Sequence, residues 1–405
     1  MQTNRELGAG SNFSRKERNG KIPGAHRLPM SYAHKVSKKQ SIAGGELALL
    51  RQIRQRAAGA ARGGLRLGIG DDCALLAARA GEELAVTTDL SIAGRHFRLD
   101  WHPAEAVGHR ALARGLSDLA AMGARPVAAF LSLALPRELT TARRGKAWVE
   151  RFLDGLLALA EAHKTPLAGG DLAESPLAVA DIVLVGAVPK GQALLRSGAR
   201  AGDLLYVTGS LGGAAAGLVR LAAKNGSSQA NQKHPAGAKA HADFAGLAAR
   251  LKSCPDTKRC PSDAFSGPSE AFSAQLAAHL YPQPRIKQGI WLRQHGLASA
   301  ALDLSDGLST DLAHLCAESG VAAEVEAALL PLAAEATLAQ ALHGGEDYEL
   351  LFAAPAAARL PRSIAGVRIT RIGRIVKARP GQPAVILLTD AGARPLEPKG
   401  WEHFS

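Results

Sequence analysis

The chain has 405 residues, 47% of them apolar, with 43 glycines and 21 prolines. That is enough for one or two hydrophobic cores and well short of a collagen-like or low-complexity composition. Its net charge of +13 is concentrated: residues 1–44 carry nine Lys/Arg against two acids, and residues 222–275 carry seven against four. A basic core built for nucleic acid is therefore not supported. The ten-residue stretch 127–136 falls far below the roughly 18 apolar residues of a membrane span. Cys73, Cys254, Cys260 and Cys316 show neither CxxC spacing nor the density of a secreted scaffold. The expectation is a soluble cytoplasmic α/β protein without a membrane span.

Residues 1–44 lack both periodicity and the apolar core of a secretory signal. They are expected to be a disordered basic extension, or sequence ahead of a native start nearer Met30; a nucleic-acid- or membrane-binding arm is the alternative. The pattern then predicts a strand over 83–88 closing at Asp89, and a helix over 103–122 with Val107, Leu112, Leu116 and Leu119 at helical spacing. A buried strand follows over 127–135, an amphipathic helix over 147–163, and strands over 182–188 and 204–208. A helix starts near 213, and 222–275 reads as an inserted polar loop in which Cys254 and Cys260 are incidental. A strand over 298–302, a helix over 307–319 and a strand over 348–353 complete the reading. The alternation suggests two α/β domains, 45–190 and 191–405.

Aspartates fall where strands end and glycines cluster. Asp71 and Asp72 follow Gly-Ile-Gly, Asp89 closes LAVTTD, Asp118 interrupts GLSDLAAMG, and Asp171 ends LAGGD; Asp303 and Asp306 frame DLSDG, and Glu346 and Asp347 open GGEDYELLF. Taken singly, each is a plausible turn or helix cap, Asp306 before Gly307 being the clearest case. Asp118 resists that reading, because a buried carboxylate costs several kcal/mol, about the scale of a whole mutational defect, unless compensated. Should these carboxylates converge, their repulsion calls for cations. An oxygen-only donor set suits hard ions such as Mg²⁺ that bridge carboxylates to phosphates. Walker and protein-kinase signatures are missing, and Gly209-Ser-Leu-Gly-Gly is only a weak phosphate-cradle pattern.

In this order, GIGDDCAL (68–75), TTD with AGRHF (87–97), LSDLAAMGA (116–124), GGD (169–171), LLRSGA (194–199), DLSDGL (303–308), GGEDYEL (344–350) and KGWEHF (399–404) resemble the thiamine-monophosphate kinase family. That family lies within the aminoimidazole ribonucleotide synthetase-like group, and the resemblance covers 45–221 and 276–405. It implies an α/β (α+β) fold of two domains, an N-terminal mixed sheet with helices and a C-terminal α/β domain. It implies direct transfer of the γ-phosphoryl of ATP to thiamine monophosphate, the last step to thiamine diphosphate, with several Mg²⁺ ions and no general base. Matching metal positions are Asp72, Thr87, Thr88, Asp89, Asp118, Asp171, Asp303 and Asp306. Gly170, Asp171, Arg196 and Ser305 match ATP contacts, and His96, Glu346 and Trp401 match substrate contacts. A homodimer sharing a sheet between N-terminal domains is also implied. One departure is Gly115, where the family usually has Asn. The rival readings are another enzyme of the same group and a non-catalytic nucleotide- or nucleic-acid-binding protein.

Overall fold

The computed structural model describes residues 45–57, 64–69, 73–142, 145–229 and 274–401. The expectations for 1–44, for Asp71 and Asp72, and for 230–273 with Cys254 and Cys260 lie outside the described residues. In chain order the first half contains α1 (Gly45–Ala57), β1 (Leu65–Leu67), β2 (Leu75–Leu76), β3 (Glu82–Ile92), α2 (Ala104–Ala121), β4 (Arg125–Leu135), α3 (Trp148–Ala162), β5 (Leu167–Glu174) and β6 (Val179–Pro189). The second half contains β7 (Leu204–Thr208), α4 (Gly213–Gln229), α5 (Ala274–Leu280), α6 (Ile286–His295), β8 (Ala300–Asp303), α7 (Leu308–Ser319), β9 (Val321–Glu326), α8 (Leu338–His343), β10 (Leu350–Ala354), β11 (Ser363–Ile364), β12 (Val367–Lys377), β13 (Val385–Thr389) and β14 (Gly392–Pro395).

A four-stranded sheet runs β3-β6-β4-β5, antiparallel except for the β4–β5 pair. A second sheet runs β14-β13-β9-β12-β7-β10-β8, with β11 paired to β12 and one parallel pair, β13–β9. The short β1–β2 ladder packs Leu65 and Leu76 against Val127, Val185 and Phe130. The fold is the mixed α/β architecture expected from the sequence. No helix among the described residues is long and apolar enough to cross a membrane.

Between the sheets lies α2. Fifteen of its 18 residues are buried, so it is a core helix rather than an amphipathic surface one. Leu112, Leu116 and Leu119 share one core with Ile182 and Leu184 of the first sheet and with Leu350 and Phe352 of the second. Glycines let α3 come close: a Cβ on Gly108 would lie 1.9 Å from the Phe152 carbonyl oxygen, and one on Gly155 would lie 1.8 Å from that of Glu105. This close seat fixes the height and rotation of α2, and with it every polar side chain the helix carries.

Several boundaries differ from the sequence pattern. Strand β3 does not stop at Asp89; its ladder with β6 continues through Leu90↔Asp181 and Ser91↔Ala180 to Ile92↔Val179. The strand expected from 348 begins at Leu350, because Tyr348 has φ 51°, a left-handed conformation that no strand residue adopts. The polar loop expected from 222 starts later, since α4 runs on to Gln229, and α5 opens already at Ala274. The β5 segment LAGGDLAE looks like a loop because of its paired glycines, yet it pairs in parallel with β4.

Candidate active site

Strand alternation divides the acidic motifs before any tertiary contact does. On β3, Thr87, Asp89 and Ser91 point towards α2. Leu84, Val86, Thr88 and Leu90 point the other way, with Val86 62% exposed. The register Leu90↔Asp181↔Ser132↔Asp171 puts Asp171 on that same outer face, three strands from β3, or about 14 Å at the usual strand spacing. Thr88 and Asp171 are therefore separated from the inner group. Gly170, also on β5, has φ 147°, and a Cβ there would sit 1.8 Å from the Leu131 oxygen. Only glycine fits.

Helix α2 supplies the centre of the inner group. The Thr87 hydroxyl donates to Asp118 Oδ2, and the Ser117 hydroxyl donates to Asp303 Oδ2 at 2.7 Å. Asp303 ends β8 and is 4% exposed. Burial, with Asp118 and Asp89 adding their charge, pushes its carboxyl up to about 7. Burial likewise pushes Asp89 up to about 6 against the pull of Arg114, with Asp118 and Asp181 adding. Asp118 is raised by burial, opposed by Thr87, Arg196 and Arg114. Three carboxylates from β3, α2 and β8 thus act on one another electrostatically. Arg196, on the exposed loop before β7, and Arg114 provide the opposing charge.

The Ser305–Asp306–Gly307 turn follows directly. Gly307, not Asp306, occupies the N-cap position of α7. Asp311 reaches back and accepts from the N–H groups of Asp306 and Gly307 at 3.1 and 3.0 Å. Burial, with Asp303 and Asp306, pushes Asp311 up to about 8. Two segments dock on this turn. Glu346 donates its peptide N–H to the Ser305 oxygen at 2.8 Å, and Trp401 donates its own to the Asp306 oxygen at 3.1 Å. The expected substrate contacts Glu346 and Trp401 are therefore drawn to the DLSDG turn from 40 to almost 100 residues further along the chain.

His96 lies nearby in a cavity that it lines with Ser91, Phe97, Val107, Arg110 and Arg114. Its Nδ1 accepts the Ile92 N–H at 3.1 Å. Arg114 pairs with Asp89 at 3.2 Å, and Arg110 pairs with Glu346. The GSLGG turn has a different partner from the phosphate its pattern suggests. Asp347 accepts from the N–H groups of Gly212 and Ala214 at 2.6 and 3.1 Å, so a protein carboxylate already fills that anion position. Sequence reading missed Arg110, Arg114, Ser117, Asp181 and Asp311. A signal for the first two was available: Arg110, Arg114 and Asp118 recur every fourth residue as a polar stripe on an otherwise apolar helix.

The donor set facing the cleft is carboxylate and hydroxyl oxygen, without cysteine. Among the described residues, no group of three or more His, Cys, Asp or Glu closes to metal-chelating spacing. Such a cleft can hold a hard cation only in company with further oxygen ligands.

Residues 70–193 match the family described as "AIR synthase related protein, N-terminal domain". The match narrows with curated relatives. Thiamine-monophosphate kinase of Escherichia coli K12 is 37% identical over 373 residues, covering 89% of this chain and 98% of the relative. The crystal structure of thiamine-monophosphate kinase from Stenotrophomonas maltophilia K279a has a TM-score of 0.63 at 37% identity, covering 86% of this chain and 98% of that one. AaThiL complexed with AMPPCP and TMP has a TM-score of 0.59 at 28% identity, covering 91% and 100%. The chain belongs to the thiamine-monophosphate kinase family.

Proposed function

We propose that the chain catalyses ATP-dependent phosphorylation of thiamine monophosphate to thiamine diphosphate, the last step in making that cofactor, by direct transfer between two bound phosphates. The observation that carries the mechanism is the meeting of Asp89, Asp118 and Asp303 beside Arg196 and the Ser305–Asp306 turn. Family membership supports the substrate pair: AMPPCP and TMP are the ligands named for AaThiL.

The inner donor set fits Mg²⁺. It is oxygen-only, and burying three mutually repelling carboxylates is costly without added positive charge. The open, non-chelating spacing leaves ligand positions for phosphate oxygens. Asp89, Asp118, Asp303 and Asp306, with Thr87, are the residues that would hold the ions; Thr88 and Asp171 are proposed to serve a second, outer position, and Asp72 is proposed as a further ligand on its sequence motif alone. Bound ions would neutralise phosphate charge and stabilise the transferring group.

The remaining roles belong to side chains on the page. Arg196 offers a planar fork of donors to a nucleotide phosphate, and Ser305 and Gly170 line its path. His96, Glu346 and Trp401 orient thiamine monophosphate, the indole stacking on the cationic thiazolium. A terminal oxygen of its monophosphate attacks the γ-phosphorus, the β–γ bridging bond breaks, and ADP leaves with the bridging oxygen. That attacking oxygen is already ionised near neutral pH, so no protein base is needed.

The outer face of β3, an edge strand, exposes Leu84, Val86 and Leu90 at 48%, 62% and 45%. We assign this face to the homodimer contact, with the 45–190 half forming the shared sheet and the enzyme working in the cytoplasm. ADP release with ATP and Mg²⁺ against a panel of phosphate acceptors tests the function. Turnover confined to thiamine monophosphate is expected, and preference for another acceptor refutes the assignment.

A further inference from the structure

We infer that a buried line of side chains from His102 through His279 and Arg110 to Glu346 is a positioning relay for the thiamine monophosphate subsite, with Arg110 as its central member. The inference rests on the reading of Glu346 as a substrate contact and adds His102, Arg110 and His279, which lie outside the motifs quoted for the resemblance.

Arg110 is 4% exposed, so its charge must be met inside the protein. One end of its guanidinium donates to the His279 carbonyl and lies 3.1 Å from His279 Nδ1; the other donates to Glu346 Oε1. His279 Nε2 is 3.0 Å from His102 Nε2, and His102 Nδ1 is 3.2 Å from the Arg98 carbonyl oxygen. One proton arrangement satisfies all of these. Arg110 donates to His279 Nδ1, His279 donates through Nε2 to His102 Nε2, and His102 donates through Nδ1 to the Arg98 oxygen. This arrangement forgoes the bond that the Arg98 N–H can donate to His102 Nδ1 at 3.1 Å in exchange for the carbonyl at 3.2 Å. Both rings are then neutral.

The surrounding charges agree. Burial and Arg110 hold His279 well below its ordinary range, and burial with Arg110 lowers His102 to about 3 despite Asp100. An ion pair of protonated His279 with Glu346 Oε2, 3.6 Å away, would place two cations side by side at Arg110. Neutral His279 instead orients the guanidinium without competing for the carboxylate.

Glu346 needs such a hold. Its φ of 69° is left-handed, which fixes its backbone at the Ser305 turn, while its side chain remains 28% exposed to the cleft. A carboxylate pinned by Arg110 meets the substrate in one rotamer and loses little freedom on binding. The relay also ties α5 to α2 and to the 344–350 segment.

The test is a double-mutant cycle on the full chain, with Arg110→Gln, Glu346→Gln and the pair. Each single variant should raise KM for thiamine monophosphate by about tenfold or more, with KM for ATP within about twofold of wild type. The double variant should be no worse than Glu346→Gln alone. Arg110→Lys should recover part of the loss, since one ammonium cannot serve both partners. Additive single effects, or a wild-type KM in Arg110→Gln beside a raised KM in Glu346→Gln, overturn the relay. A silent Glu346→Gln instead overturns the underlying substrate contact. Nitrogen NMR of His102 and His279 gives a readout independent of activity: both rings should stay neutral from pH 5 to 8, and titration of His279 near pH 6.5 refutes the proton arrangement. Should Arg110→Gln not fold, His279→Leu takes its place in the cycle, with an expected KM rise of about threefold; no rise counts against the relay.

Discussion

Asp303→Asn separates what the acidic centre costs the fold from what it does for the reaction. Asp303 is 4% exposed, and its carboxyl is pushed from an ordinary 3.8 up to about 7, first by burial and then by Asp118 and Asp89. A carboxyl that ionises later in the folded chain than in the unfolded one destabilises the fold once pH exceeds the unfolded value. The cost grows from about pH 4 and is complete above about pH 7. Three pKa units correspond to about 4 kcal/mol. Asn is close in shape, and its amide oxygen can still accept from the Ser117 hydroxyl. In EDTA at pH 8 the variant should therefore be more stable than wild type by up to about 4 kcal/mol in urea unfolding. The gap should shrink steadily as pH falls towards 4. Mg²⁺ should stabilise wild type more than the variant, and turnover should drop by about 100-fold or more. A variant that loses stability in EDTA like an ordinary core substitution, or that keeps wild-type rates at ordinary Mg²⁺, would refute the reasoning.

His102 titrates in the opposite sense: it stays neutral in the fold, at about 3, while the unfolded chain binds its proton near 6.5. Its contribution is present above pH 6.5 and lost on acidification, so the stability advantage of wild type over His102→Gln should fall by about 2 kcal/mol between pH 7 and pH 5; a constant difference would show that His102 is not held neutral. Gly115→Asn, which restores the usual family residue, should destabilise by about 1–3 kcal/mol, because a Cβ there lies 2.6 Å from Leu184 Cδ1; a raised melting temperature would contradict this. Val86→Asp on the outer face of β3 should shift the particle from dimer to monomer in light scattering while leaving the monomer folded, and a persistent dimer would move the interface elsewhere.

Periodicity located the long elements well, and for a physical reason. Helix α2 and strands β4 and β6 are buried along most of their length, so apolar residues dominate them. The failures sit where backbone geometry overrides composition. Nothing in the letters of GGEDYEL announces that Glu346 and Tyr348 adopt left-handed φ values of 69° and 51°, which delays β10 until Leu350. Nor does LAGGD announce that parallel pairing with β4 makes a strand of two glycines and an aspartate.

The site was legible as an inventory but not as a geometry. The candidate acidic residues could be read from glycine-flanked aspartates; which of them meet depends on strand register. A one-residue alternation sends Thr87 and Asp89 inward and Thr88 outward, although the three are consecutive letters of one motif. The same logic explains the arginines. On a helix with fifteen buried residues a charge has little solvent to turn to: buried Arg110 meets Glu346 and His279, while Arg114, 18% exposed, pairs with Asp89. The polar stripe on α2 thus links the acidic centre of Asp89, Asp118 and Asp303 to the 344–350 segment through Arg110 and Arg114. Removing either arginine leaves a half-buried carboxylate, Glu346 or Asp89, without its arginine partner, so the two ends of the stripe are coupled electrostatically.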